Sequence, residues 1–169
     1  MRKGILIIVI LLMVLFIAGC IEEKPKMNTY NGNGMSFQYP EGWSSNNAGK
    51  IKIQQENLLV DLESADGTYG VFIYKENLKT FLSELNMSYD EYVDYNLLHS
   101  NGETIYNKTR DIGGINALEF GQIFLNDEGN YYVSTALIKK DKYLYTVLIF
   151  SLDNNQYYVD NILNSFKFT

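Results

Sequence analysis

Asp90 and Asp94 stand four residues apart with Glu91 beside the first, a spacing that puts both aspartates on one face of a helix. Like charges so placed repel, and a calcium ion held through oxygen ligands would relieve them. The plainer reading is a solvated acidic face with a helix-capping duty, and calcium stays an open alternative. A second acidic group, Asp61, Glu63 and Asp66, falls on a strand and its turn. Period-two alternation sends Asp61 and Glu63 to one outer face, where solvent exposure is expected. His99 is the only histidine. It cannot by itself build a zinc site, which draws on several His or Cys ligands. A Ser-His-Asp triad would need this same residue, and no G-x-S-x-G turn is present. No catalytic residue or cofactor site follows from these groups, and the expectation is a protein that is not an enzyme.

The one cysteine, Cys20, carries a different chemistry. It closes the run Phe16-Ile17-Ala18-Gly19, with Arg2 and Lys3 upstream and Glu22, Glu23 and Lys24 downstream. A basic start, a short apolar stretch and small residues before a cysteine form a lipoprotein signal, with Cys20 taking the lipid. The apolar stretch Ile5–Ala18 is shorter than the roughly 20 residues a bilayer span needs and fits a signal sequence of about 7–15 apolar residues. A lone thiol outside the cell makes chemical sense once a thioether consumes it. The alternative is an uncleaved anchor, and either way the rest of the chain lies outside, because Arg2 and Lys3 stay inside. The organisation expected is a signal peptide over 1–19, the lipidated cysteine and a polar tether over 20–34, and one domain over 35–169. The address is the outer face of the cytoplasmic membrane of a prokaryote.

Charge narrows the partners. The chain holds 14 Lys and Arg against 20 Asp and Glu, a net charge of −6, and loss of Arg2 and Lys3 takes it to about −8. Such a surface repels nucleic acid and anionic lipid headgroups, so a nucleic-acid partner is excluded. The membrane is met through the lipid anchor, a membrane protein is the partner class to expect, and the domain reads as a monomer. Tyr131, Tyr132, Tyr143, Tyr145, Tyr157 and Tyr158 form an aromatic set. Tyr143 and Tyr145 share a strand face, core if a helix covers it and a binding surface if none does. Asn86-Met87-Ser88 and Asn107-Lys108-Thr109 match the N-glycosylation sequon.

The elements that position these groups follow from periodicity. Met35–Tyr39 alternates as a strand, Pro40 ends it, Glu41-Gly42 turns and Trp43 packs over its end. Strands are expected at Lys50–Gln54, Leu58–Glu63 and Gly70–Tyr74, the last two joined by a turn at Ala65-Asp66-Gly67. A short helix spans Leu78–Leu85. Ser88 and Glu91 then make a capping box opening a helix whose buried face is Tyr89, Tyr92, Val93, Asn96 and Leu97. Four antiparallel strands follow, Thr104–Asp111, Asn116–Leu125, Tyr131–Lys139 and Tyr143–Ser151, on short turns. A last helix, capped by Asp153, carries Tyr158, Val159, Ile162, Leu163 and Phe166 on one face. The fold class is α+β, an antiparallel sheet flanked by helices.

The segment from Gly34 to Trp43, Gly-Met-Ser-Phe-Gln-Tyr-Pro-Glu-Gly-Trp, resembles the opening signature of PsbP-like proteins, F-x-Y-P followed by a Gly-Trp turn. The ending Ile162-Leu163-Asn164-Ser165-Phe166-Lys167-Phe168 resembles that family's helix and S-F-x-F strand, and Ile112–Ala117 resembles its Gly-rich strand start. The resemblance implies the α/β/α sandwich that PsbP shares with the Ran-binding Mog proteins, around a central antiparallel sheet. Plant members are extrinsic lumenal subunits of photosystem II that support calcium and chloride retention, and prokaryotic relatives include many lipoproteins. It therefore implies a non-catalytic binding or accessory module for a membrane-associated complex, and one fold hosts many functions. The alternative is a cation- or solute-binding envelope lipoprotein that delivers ligand to a membrane protein.

Overall fold

The structure is a computed structural model that describes residues 25–45, 57–126 and 129–169. Cys20, the apolar run before it, the strand expected at Lys50–Gln54 and most of the turn at Asp127-Glu128-Gly129 lie outside the described residues. Among the described residues nine strands and three helices run in the order β1 (Met27–Gly32), β2 (Met35–Pro40), β3 (Leu58–Glu63), β4 (Tyr69–Asn77), α1 (Leu78–Leu85), α2 (Tyr89–Leu98), β5 (Glu103–Ile112), β6 (Ile115–Asn126), β7 (Gly129–Lys140), β8 (Tyr143–Ser151), α3 (Gln156–Ser165) and β9 (Lys167–Phe168).

The central sheet is antiparallel with strand order β3-β4-β8-β7-β6-β5. Each link except the one through α1 and α2 is short, which forces neighbours to run antiparallel. The β5–β6 link is the two-residue turn Gly113-Gly114, both with positive φ (61° and 82°), the geometry that matches the twist of a hairpin. Asp111 supports it by accepting a hydrogen bond from the Gly114 amide at 3.1 Å.

One sheet face packs on α1 and α2. Phe120, Leu137 and Leu144 are buried there against Leu78, Phe81, Tyr89, Tyr92, Val93 and Leu97, so the helical face expected for α2 is the one that docks. Ser88 caps α2 as expected: its Oγ accepts from the Glu91 amide, and its own amide donates to Glu91 Oε2 at 2.7 Å. The opposite face buries Val71, Ile73, Ala136, Ile138, Val147 and Ile149 under Val159, Ile162 and Leu163 of α3.

A second sheet corrects the expected tether. Met27–Gly32, read as part of a polar linker, pairs with Met35–Pro40 in full antiparallel register, from Met27 opposite Pro40 to Gly32 opposite Met35. Its polar side chains hid it, because the strand lies on the surface and adds backbone bonds with little apolar burial. The sheet order is β1-β2-β9, so the two ends of the domain meet. Met35 and Phe37 are 1% exposed and carry this sheet into the main core, where the Phe37 ring stacks on Phe166 at 5.8 Å.

Two further expectations change. The last helix is capped by Asn155, whose Oδ1 accepts from the Tyr157 amide, while Asp153 accepts a hydrogen bond from the Tyr69 hydroxyl at 2.6 Å. Glu63, expected in solvent, is 5% exposed. It sits opposite Gly70, whose missing side chain leaves room for it, while Asp61 lies opposite the buried Phe72.

Candidate functional site

The carboxylates singled out by spacing separate by role. Glu91 turns back to the start of α2, and the Ser88 amide bonded to it holds its pKa below the usual range. Asp90 and Asp94 are exposed. Glu91 and Asp94 line a shallow cleft of about 420 Å³ with Asn86, Met87, Tyr95 and His99. His99 caps the end of α2 and stacks on Tyr95 with ring centroids 5.9 Å apart. Among the described residues no group of three or more His, Cys, Asp or Glu is gathered to hold a metal ion. A second cleft, about 450 Å³, opens between β4 and α1 and holds Glu76, Thr80, Phe81 and Glu84. Burial, and then the Glu84 carboxylate, raise the Glu76 pKa.

Asp61, Glu63 and Asp66 also part company. Asp66 closes the β3–β4 turn, accepting from the Ser64 and Thr68 hydroxyls and the Thr68 amide, and these bonds pull its pKa down to about 2. Burial raises the pKa of Asp61 and of Glu63, and Asp61 adds to the rise at Glu63. Asp61 Oδ1 is enclosed with no hydrogen-bond partner among the described residues.

The tyrosines divide between core and rim. Tyr145 is 7% exposed and meets Phe168 edge-on at 5.0 Å, so that face is covered. Tyr131 stacks on Phe124 at 5.0 Å. Tyr158 joins Trp43 and Tyr69 in an aromatic group at the end of the central sheet, so Trp43, expected over the end of β2, meets Tyr69 at the start of β4 and Tyr158 of α3. Both sequon asparagines are exposed: Asn86 at the left-handed cap of α1 (φ 52°) and Asn107 on edge strand β5.

Two constellations were not foreseen. The first lies between β5, β6 and α3. Glu119 is fully buried, and its carboxylate accepts from Arg110 Nη1 at 2.8 Å and from the Tyr106 hydroxyl at 3.1 Å, with Lys108 Nζ at 3.2 Å. Tyr106 also bonds Ser134 Oγ at 2.8 Å. Arg110 Nη2 donates to Asp160 at 2.9 Å and to Asn164 at 2.7 Å, tying the sheet to α3. Burial opposes the Arg110 charge, and Glu119 and Asp160 more than offset it, so its pKa rises. The signal was available: Ala117, Glu119 and Gly121 share a strand face, and a charge between two small residues asks for a partner.

The second surrounds the β7–β8 turn. Lys75 Nζ lies 4.1 Å from the Tyr143 ring centroid and 5.5 Å from that of Tyr145. Lys142 approaches Tyr143 at 5.4 Å, Lys140 approaches Phe168 at 5.4 Å, and Lys139 sits 3.9 Å over Tyr89. Lys140 also pairs with Asp141 at 3.3 Å in the turn. Among the described residues no carboxylate pairs with Lys75, Lys139 or Lys142.

No protein-family model and no curated protein sequence matches the chain. Its architecture is the PsbP-like fold. The solution structure of cyanobacterial PsbP (CyanoP) from Synechocystis sp. PCC 6803 is similar at a TM-score of 0.59 and 14% identity, covering 90% of this chain and 99% of that one. A Bacteroides thetaiotaomicron VPI-5482 protein is similar at a TM-score of 0.50 and 10% identity over 86% of this chain, which spans about half (48%) of that protein. The Saccharomyces cerevisiae Ran-binding protein Mog1p gives a TM-score of 0.49 at 10% identity, covering 85% of this chain and 96% of that one. Among the described residues no helix is long and apolar enough to cross a membrane.

Proposed function

We propose that this protein is a membrane-anchored extracytoplasmic accessory module, a PsbP-like domain held at the outer face of the cytoplasmic membrane by lipid on Cys20 and acting by binding. One observation carries the reading. The first strand among the described residues begins at Met27, with six residues between it and Cys20 in sequence. Fully extended they reach about 20 Å, which keeps the domain against the bilayer whatever conformation they take. The lipid would supply about 0.8 kcal/mol per buried methylene, so two or more chains give a firm hold. The fold likeness to a cyanobacterial PsbP supports an accessory role. So does the engagement of Arg110 and Lys108 with Glu119, an arrangement that leaves all three charges occupied by one another's opposite sign.

The intact mass of the protein extracted from membranes tests the anchor. The expected mass lacks residues 1–19 and carries added lipid, and Cys20→Ser abolishes both changes. The mass of the full unmodified chain overturns the anchor. A substrate screen of the purified protein tests binding against catalysis, and turnover abolished by one polar substitution would sink the binding role.

A further inference from the structure

The lysines around the β7–β8 turn stand out in a chain of net charge −6. Lys75, Lys140 and Lys142 gather at one end of the central sheet around Tyr143 and Phe168, with Asp141 in the same turn, while Lys139 stands at the same end on the opposite sheet face, over Tyr89. Each ammonium is held near an aromatic face at 3.9–5.4 Å from its nearest ring centroid, by Tyr143, Tyr89 or Phe168. A cation over a ring keeps its hydrogen-bond donors while its stem loses freedom, so less ordering cost remains when an anion arrives. Lys139 and Lys142 are exposed, and Lys75 and Lys140 are half-buried along their stems.

The position of this patch relative to the chain's entry point is set by pairing. β1 enters at Met27, opposite Pro40, three residues before Trp43, and Trp43 stacks on Tyr69 at the far end of β4. β1 ends at Gly32, opposite Met35. Met35 pairs with Phe168, which touches Tyr145 and lies under Lys140. The lysine patch is therefore one strand length, about 20 Å, from Met27, at the opposite end of the domain.

We infer that this patch is a docking surface for an acidic segment of a membrane-associated protein that projects above the bilayer. Carboxylates fit it by charge and by the spread of donors. A polyanionic nucleic acid is repelled by the rest of the surface, and a second copy of this chain brings the same net negative charge. A lipid headgroup would have to be met by the end of the domain that lies away from Met27. The last argument rests on the proposed anchoring through Cys20; the charge and geometry of the patch do not.

A titration of the full chain in detergent, followed by amide NMR, tests this with two probes: a poly-glutamate peptide and vesicles containing phosphatidylglycerol. The peptide is expected to shift the amides of Lys75, Lys139 through Tyr145 and Phe168, with affinity that falls as salt rises. Lys140→Glu with Lys142→Glu should weaken peptide binding about tenfold or more, while Lys26→Glu at the other end leaves it unchanged. Lys140→Gln with Lys142→Gln, which keeps the stems, should give an intermediate loss and guards against misfolding of the charge reversal. Peptide shifts that are absent, scattered or indifferent to these substitutions overturn the proposal. Vesicles that bind the patch more tightly than the peptide overturn it in favour of lipid. Self-association lost on charge reversal overturns it in favour of a second copy. Failure of the anchor reads out separately, in the intact mass.

Discussion

Arg110 reaches Glu119 at 2.8 Å across neighbouring strands, with the Glu119 side chain fully enclosed and that of Arg110 13% exposed. Such a pair stabilises little in total, because desolvation consumes most of the attraction, but each partner depends strongly on the other. Glu119→Ala should cost roughly 3 kcal/mol, because Arg110 Nη1, Lys108 and the Tyr106 hydroxyl lose their buried acceptor while Arg110 keeps Asp160 and Asn164 through Nη2. Arg110→Met with Glu119→Leu should cost far less than the sum of the single changes. Urea unfolding of the four proteins in this cycle measures the difference.

Gly121 lies beneath the Tyr106 ring, and a Cβ there would collide with the ring carbons of Tyr106. Gly121→Ala should displace that ring, break its bonds to Glu119 and Ser134, and cost about 1–3 kcal/mol by overpacking. Tyr106→Phe keeps the ring in place and should cost less. Thermal unfolding of both variants ranks them, and equal losses would contradict the argument.

Ser88→Ala removes the hydroxyl that accepts from the Glu91 amide at 3.2 Å. A lost cap of this type costs about 1 kcal/mol. Calorimetry should show a melting point lower by a few degrees. Hydrogen exchange should quicken at Asp90, Glu91 and Tyr92 and stay slow in β7 and β8.

Tyr69 donates to Asp153, and burial together with that carboxylate pushes its pKa up to about 12. A raised pKa contributes stability that is fully present below the ordinary value of 10.0 and lost as pH climbs towards 12. Ultraviolet titration should find Tyr69 ionising after most other tyrosines. Asp153→Asn should bring its midpoint down, and an unchanged midpoint would separate the shift from this bond.

Acidification should first help the fold and then harm it. The pKa values of Asp61 and Glu63 are raised by burial, so their contribution is best below the ordinary carboxylate range and is lost as pH rises through the folded values. Asp66 works in the other direction: its stability is present above 3.8 and disappears as pH falls to about 2. Asp61→Asn should raise the melting point at neutral pH and flatten its gain on mild acidification. A lower melting point at neutral pH would mean that the carboxylate is needed where it stands.

The strands of the central sheet were legible because burial on their faces produced period two. Tyr143–Ser151 matches its expected bounds, β5, β6 and β7 differ by a residue or two at their ends, and β4 runs three residues past its expected end at Tyr74. The start of α2 was legible because a capping box is local chemistry. β1 was not, since Asn28, Thr29 and Asn31 leave no apolar rhythm in an exposed strand held by backbone bonds. The cap of α3 was misassigned because Asp153 had the right spacing while Asn155 had the right geometry. Glu63 looked solvated because its burial depends on Gly70, a pairing that local spacing does not show. The Arg110–Glu119 cluster left one local sign, a charge between Ala117 and Gly121 on a single strand face, but its partners come from β5 and α3; the lysines near the β7–β8 turn come from β4, β7 and the turn itself and have no signature in any one segment.

The three-stranded sheet joins residues from the two extremes of the domain. Gln38 donates its amide to Ser165 Oγ, Met35 pairs with Phe168, and the Thr169 amide donates to Gly34. A ribosome must therefore release α3 and β9 before the first two strands acquire their last partner and before Phe37 can stack on Phe166. Contacts this distant in sequence form slowly, since the loop must close before any contact rewards it. The domain therefore stays incomplete until β9 has been made and can pair with β2.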